Sequence, residues 1–322
     1  MRPKRQVTAV LLMAAFAAVG CTKRDTTKAT ESPDSAQAKP VAAVSELPPL
    51  AGTDEEGFVK DTTTKIKGPA SFADGEAAYK AKNYADAATI FEDYTAQKPG
   101  NAWGHFMLGL STWKAGDLDK SQKAFETALS IDPDHLKSLV NLSRVLIEKK
   151  QYDEAINALM KAGDIEPNST DVYRLLGRAY HAQGKTDDAV DAYTRAIELD
   201  DQDAWSMNNL GLVLLEKKRA EEALTFFAKA AELKKDVAVF HNNLGMALEH
   251  TGRFGAAATA YGNAVTADPA YDKAKQNLAR VEAVKKGPEE PFDVAKTATM
   301  ATKQTTVTEE GTTASNTQTA SK

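Results

Sequence analysis

Residues 170–203 read TDVYRLLGRAYHAQGKTDDAVDAYTRAIELDDQD. Stepping 34 residues in either direction from any position in this stretch meets the same kind of side chain, and the pattern repeats six times from Gly68 to Tyr271 without insertion or deletion. One column holds Gly75, Gly109, Ser143, Gly177, Gly211 and Gly245; another holds Ala87, Ser121, Ala155, Ala189, Ala223 and Ala257. A third carries Tyr94, Ala128, Ala162, Ala196, Ala230 and Ala264, and a fourth the large residues Phe91, Phe125, Leu159, Tyr193, Phe227 and Tyr261. Small and large side chains at fixed positions of a short repeat mark one packing unit stacked on copies of itself.

Each copy divides into two helical stretches. In the second copy these are Trp103 to Ala115 (helix A) and Leu118 to Ile131 (helix B). Pro99, Pro133, Pro167 and Pro269 close helix B. Asn101, Asp134, Ser169, Asp203 and Asp236 stand where the next helix A needs an N-terminal cap. Gly116, Gly184 and Gly252 fall in the turn between A and B, and Lys82, Lys150 and Lys218 hold that place in the other copies. Asp119, Asp153, Asp187 and Glu221 lie in the first turn of helix B, where they complement the helix dipole.

The period and spacing resemble the tetratricopeptide repeat. The resemblance implies an all-α fold, a right-handed superhelical solenoid of six helix-turn-helix repeats at 68–101, 102–135, 136–169, 170–203, 204–237 and 238–271. Asp272 to Lys286 then reads as a final capping helix with Ala274, Leu278, Val281 and Val284 inward, which completes the solenoid at 68–286.

The flanks have different characters. Arg2, Lys4 and Arg5 precede an apolar run, Val7 to Gly20, too short for a bilayer span of about 20 residues, and so 1–20 is expected to be an export signal. The run ends at Cys21, the one cysteine, so no disulfide forms within the chain. Ala18-Val19-Gly20-Cys21 resembles the lipobox of bacterial lipoproteins, which implies acylation of Cys21, a lipid anchor and a place in the cell envelope. Thr22, in place of an aspartate, favours the outer membrane. Residues 21–67, rich in Thr, Ser, Ala, Pro, Asp and Lys, are expected to be a disordered tether, and 287–322, with ten threonines between Thr297 and Thr319, a disordered tail.

The balance of 40 Lys and Arg against 45 Asp and Glu leaves a net charge of -5, with no basic excess for a nucleic-acid backbone. His105, His135, His181, His241 and His250 lack metal-ligand spacing, and no phosphate loop, nucleophile elbow or carboxylate pair stands outside the repeats. No enzyme activity, cofactor or metal is expected.

Binding then falls to the A-helix row, which lines the concave face of such a solenoid. The residues expected there are Trp103, Phe106, Leu110 and Trp113 in repeat 2, and Lys137, Asn141, Arg144, Arg174, Arg178 and His181 in repeats 3 and 4. Repeats 5 and 6 offer Trp205, Asn208, Asn209, Val239, Asn242 and Asn243. Aromatic anchors, arginines that fork onto a carboxylate and amides that both donate and accept suit a protein or extended peptide. Asn141, Asn209 and Asn243 share a column, and this resembles the asparagine ladder of the repeats attached to O-linked N-acetylglucosamine transferases; Leu175 and Met107 interrupt it. The expected role is a noncatalytic docking scaffold. The alternatives are an assembly factor for a pilus, secretion or outer-membrane complex, using the convex face, and a regulator of a separately encoded enzyme.

Overall fold

A computed structural model describes residues 70–284 and 292–301. The expected signal, Cys21, and the expected tether lie outside the described residues. The helices are α1 (Phe72–Lys80), α2 (Tyr84–Gln97), α3 (Ala102–Lys114), α4 (Leu118–Ile131), α5 (Leu136–Glu148), α6 (Tyr152–Ile165), α7 (Thr170–Ala182), α8 (Thr186–Leu199), α9 (Ala204–Glu216), α10 (Ala220–Leu233), α11 (Ala238–His250), α12 (Phe254–Ala267) and α13 (Asp272–Val284). A further helix, α14, covers 294–301. Odd-numbered helices from α1 to α11 are the A helices and even-numbered ones to α12 the B helices. Each A helix packs on its own B helix, each B helix on the next A helix, and successive A helices also touch; no B helix packs comparably on the next B helix. The A row therefore lies on the inside of the curve.

The small and large columns meet inside each repeat. A Cβ on Gly109 would lie 2.6 Å from the Phe125 ring, one on Gly177 2.6 Å from Tyr193, one on Gly211 2.8 Å from Phe227 and one on Gly245 2.6 Å from Tyr261. All four of these rings are fully buried. Glycine is required because the ring occupies the volume of a side chain on the facing helix. Repeat 3 uses the complementary solution, with Ser143 in the glycine column facing the smaller Leu159 in the ring column.

The turns follow the expected division. Gly116, Gly184 and Gly252 have φ of +87°, +81° and +77°, and Lys82, Lys150 and Lys218 adopt the same left-handed conformation at 60–61°. The caps differ in part from expectation. The side chains of Asn101 and Asp203 accept from the amides of Gly104 and Trp205. In repeat 3 the cap is His135, not Asp134, with Nδ1 accepting from the Ser138 amide. Ser169 makes no capping bond, and Val237, not Asp236, holds the cap position of α11.

The acids opening each B helix reach forward into the next repeat. Asp119 accepts from Lys149 at 2.5 Å, Asp153 from Gln183 at 2.7 Å, Asp187 from Lys217 at 2.5 Å and Glu221 from Arg253 at 2.9 Å. These exposed clips contribute little energy individually but recur at every internal junction from repeat 2 to repeat 6.

At the C-terminal end, Ala274 and Val281 of α13 are fully buried, whereas Val284, expected inward, is 44% exposed. Residues 294–301, expected to be part of a disordered tail, are helical instead. Asp293 caps α14 by accepting from the Lys296 amide at 2.9 Å, and Ala298 and Ala301 are fully buried. Among the described residues no helix is long and apolar enough to cross a membrane.

Candidate functional site

The inner row falls into three regions. The first is aromatic. Trp103, 47% exposed, stands edge-on to Phe106 (5.4 Å) and to His135 (4.7 Å), and the Lys137 ammonium lies 5.1 Å from its ring centroid. Phe106 is buried beneath it, while Leu110 and Trp113 are half-buried. The Trp113 indole N–H donates to both carboxylate oxygens of Glu148 at 3.1 Å, so its polar edge is already engaged.

The second region holds the arginines expected to fork onto a partner's carboxylate, and its cations are already engaged within the chain. Arg144 donates to Asp171 at 2.8 Å; Arg174 pairs with Asp171 and with Asp203, the latter at 2.9 Å. Both guanidinium side chains are about four-fifths buried. Burial lowers the Arg144 pKa from its ordinary value, and the neighbouring Arg174 adds to this; burial also lowers that of Arg178, opposed by Tyr193, Glu148 and Tyr152. The buried His181 lies 2.9 Å from Glu216 through Nε2. Lys137 is exposed; Asn141 is half-buried, its amide donating to the Lys137 carbonyl at 2.8 Å. Asp171, Asp203, Glu148 and Glu216, absent from the expected set, make this centre a charge-balanced lattice rather than an anion site.

The third region departs furthest. Asn208, Asn209, Asn242 and Asn243 were expected to face an extended partner, yet none is more than 5% exposed. They bond to one another across the stack. Asn243 donates to Asn208 at 2.9 Å, and Asn277 of α13 donates to Asn242 at 2.9 Å. Asn277 in turn accepts from Arg280, which pairs with Glu249. A buried amide must find a partner; Asn208, Asn242 and Asn243 find theirs on a neighbouring helix, while Asn209 accepts from Asn208 of its own helix at 3.4 Å. The ladder thus ties repeats together. Trp205 is half-buried edge-on to Phe240 at 4.8 Å, and Val239 is half-buried.

Six helix pairs, five of them with glycine–ring seams, inner A helices and ladder-like ties describe a repeat solenoid, and the comparisons agree. A family model described as the cilia and flagella-associated protein 70 C-terminal domain, of tetratricopeptide type, matches residues 50–318. The chain belongs to this family. The match runs beyond the sixth repeat and takes in α14. No curated protein matches the chain. Among solved structures, the chain is similar to the Cut9–Hcn1 assembly of the APC/C, with 17% identity and a TM-score of 0.56 over 65% of this chain and 41% of that one. It is also similar to TTC0263, a tetratricopeptide repeat protein of Thermus thermophilus (20% identity, TM-score 0.48, 57% of this chain and all of that one). MamA residues 41 to the end, from Desulfovibrio magneticus RS-1, matches at 21% identity and TM-score 0.48 over 50% of this chain and 92% of that one. Membership in this family and the Cut9–Hcn1 likeness establish the fold, a module type generally devoted to protein interaction.

Proposed function

We propose that this chain is a noncatalytic protein-interaction scaffold that takes a segment of a partner protein on the concave surface of repeats 2 and 3. The single observation that carries this reading is Trp103. It is the most exposed of the three tryptophans, it sits on the inner row, and a lysine stands over its ring while a buried phenylalanine and a histidine hold it edge-on. A rigid, pre-oriented indole loses little entropy on binding and suits an aliphatic or aromatic side chain. Arg144, Arg174, Asn208 and Asn243 contribute stiffness to the groove instead of contact, so substitutions there read out stability.

The test is a photo-crosslinker at Lys137 combined with Trp103→Ala. Trp103 is exposed enough that its removal should leave the fold intact, and loss of a central anchor of about 2 kcal/mol weakens capture about thirtyfold. Undiminished crosslinking in Trp103→Ala overturns the reading. The assembly-factor alternative rests on Met160, 56% exposed on α6 in the outer row; it predicts that Met160→Ala, not Trp103→Ala, abolishes capture.

We further propose that the scaffold works at a bacterial envelope, held by acyl chains on Cys21 and facing the periplasm from the outer membrane. Support comes from the Ala18–Cys21 sequence and the basic, apolar stretch before it. Cys21→Ser should move the protein to the soluble fraction; persistence of the variant in the membrane fraction refutes the anchor.

A further inference from the structure

The inner face changes character between repeats 4 and 5. One groove column runs Leu110, Arg144, Arg178, Leu212, Met246. Its members in repeats 2 to 4 are half-buried, whereas Leu212 and Met246 are 3% and 5% exposed. In the column Phe106, Val140, Arg174, Asn208, Asn242, Phe106 is already buried beneath Trp103, but the step from repeat 4 to repeat 5 is the same: Val140 and Arg174 are half-buried, whereas Asn208 and Asn242 are at most 1% exposed. Neighbouring A helices do not explain the difference, because α7 lies between α5 and α9 just as α9 lies between α7 and α11. The extra burial on α9 and α11 calls for cover from outside the row of A helices.

Residues 292–301 supply a matching surface. Ala298 and Ala301 belong to the same continuous apolar cluster as Leu212, Leu215 and Met246, and Phe292 and Val294 pack against it. Val294, Ala298 and Ala301 stand at i, i+4 and i+7, one face of a helix, while Lys296, Thr299 and Met300 on the other sides are exposed. An eight-residue helix does not persist in water unsupported, so docking, helped by the Asp293 cap, holds α14 in shape.

We propose that the concave surface of repeats 5 and 6 is a second binding site, for a short helix with small or apolar side chains at i, i+4 and i+7, and that residues 292–301 occupy it in cis. The contact is small, and only residues 285–291 separate α13 from the segment. A short connection raises the local concentration of the segment and keeps a weak site filled. A partner helix of the same register must displace it, so the site opens only to a competitor of higher affinity or concentration. This proposal is independent of Trp103 and stands or falls separately from the repeat 2–3 surface.

The column itself supplies the test. Arginine stands at this position in repeats 3 and 4, so Leu212→Arg is compatible with the solenoid yet hostile to an apolar occupant. In the full chain, amide exchange of residues 297–301 should accelerate at least about tenfold in Leu212→Arg while α3 to α8 keep their protection. In parallel, Ala298→Asp/Ala301→Asp should expel the segment and leave the site vacant. A fluorescein-labelled peptide of residues 290–303 should then bind this double variant at least about tenfold more tightly than wild type, and adding Leu212→Arg should abolish that binding. Unchanged exchange at 297–301 in Leu212→Arg overturns the proposal, as does equal peptide binding by wild type and the double variant.

Discussion

Repeat 3 offers a direct experiment on the packing that builds the solenoid. In the other five copies an aromatic ring covers a glycine; here Leu159 faces Ser143. Leu159→Phe would place a ring where the facing residue already has a Cβ. The neighbouring repeats show the size of the conflict, since a Cβ there would sit 2.6–2.8 Å from the ring, well inside contact distance. Overpacking of this kind costs about 1–3 kcal/mol. Ser143→Gly alone places a glycine in the middle of α5, costing about 0.5–1 kcal/mol, and opens a small gap over Leu159. Together the two changes recreate the glycine–ring pair of the other repeats.

The double variant should therefore lie within about 1 kcal/mol of wild type, with a coupling of about 1–3 kcal/mol between the sites. Urea titration followed by far-ultraviolet circular dichroism measures the overall effect. Amide exchange of α5 and α6 localises it, because solenoid stability is approximately a sum over repeats and their interfaces. If the double variant is as unstable as the sum of the single changes, the ring and the glycine are not packing partners and the account of the columns fails.

Three further outcomes follow from the same contacts. Lys150, held at φ +61°, should be improved by glycine; Lys150→Gly should raise stability by about 0.5–1 kcal/mol, and an unchanged or lower urea midpoint would contradict it. His135 titrates below its ordinary value, chiefly because of burial, with Lys137 adding and Asp132 opposing. Folded His135 thus takes up a proton less readily than unfolded His135. Stability should be flat above about pH 6.5, fall as pH drops below it, and fall less in His135→Asn, which keeps a cap that does not titrate; parallel pH–stability curves would exclude His135 as the cause. Asn141→Leu and Asn243→Leu alter the same repeat column. The half-exposed first should be nearly neutral, while the buried second strands the Asn208 oxygen and costs about 1–3 kcal/mol, read as a difference in melting midpoints.

Packing inside a repeat was legible in the sequence because it recurs. Gly177 and Tyr193 are neighbours in the fold, and the columns to which they belong change together, as Ser143 and Leu159 show. Helix limits and left-handed turns were legible for the same reason. The exposure of groove residues was not. A column comparison aligns residues 34 apart, whereas several polar ties between successive A helices join residues 35 apart, as Trp113 to Glu148, Asn208 to Asn243 and Asn242 to Asn277, and others such as Arg144 to Asp171 join residues 27 apart. His181 and Glu216 keep the 35-residue offset. In these ties residue i on one A helix meets not its own equivalent but the position after it. Asn243 therefore looks like Asn141 in a column while having a different partner, and polar residues that seem to await a ligand are already bonded within the chain.

The end of the solenoid departs from expectation for a different reason. Threonine-rich composition outweighed a local signal that was present: Asp293 at a cap position, Phe292 before it, and Val294, Ala298 and Ala301 on one helical face. Three small or apolar residues are too few to stand out against such a background. Their counterpart was recorded elsewhere, in the column where Arg144 and Arg178 give way to Leu212 and Met246. An arginine suits a surface beside water and carboxylates; a leucine or methionine suits one that another helix covers. From repeat 3 to repeat 6 the change from charged to apolar in this column accompanies the loss of exposure. Reading it requires comparing the column with the flanking chain, because the covering segment lies outside the repeat and shares none of its periodicity.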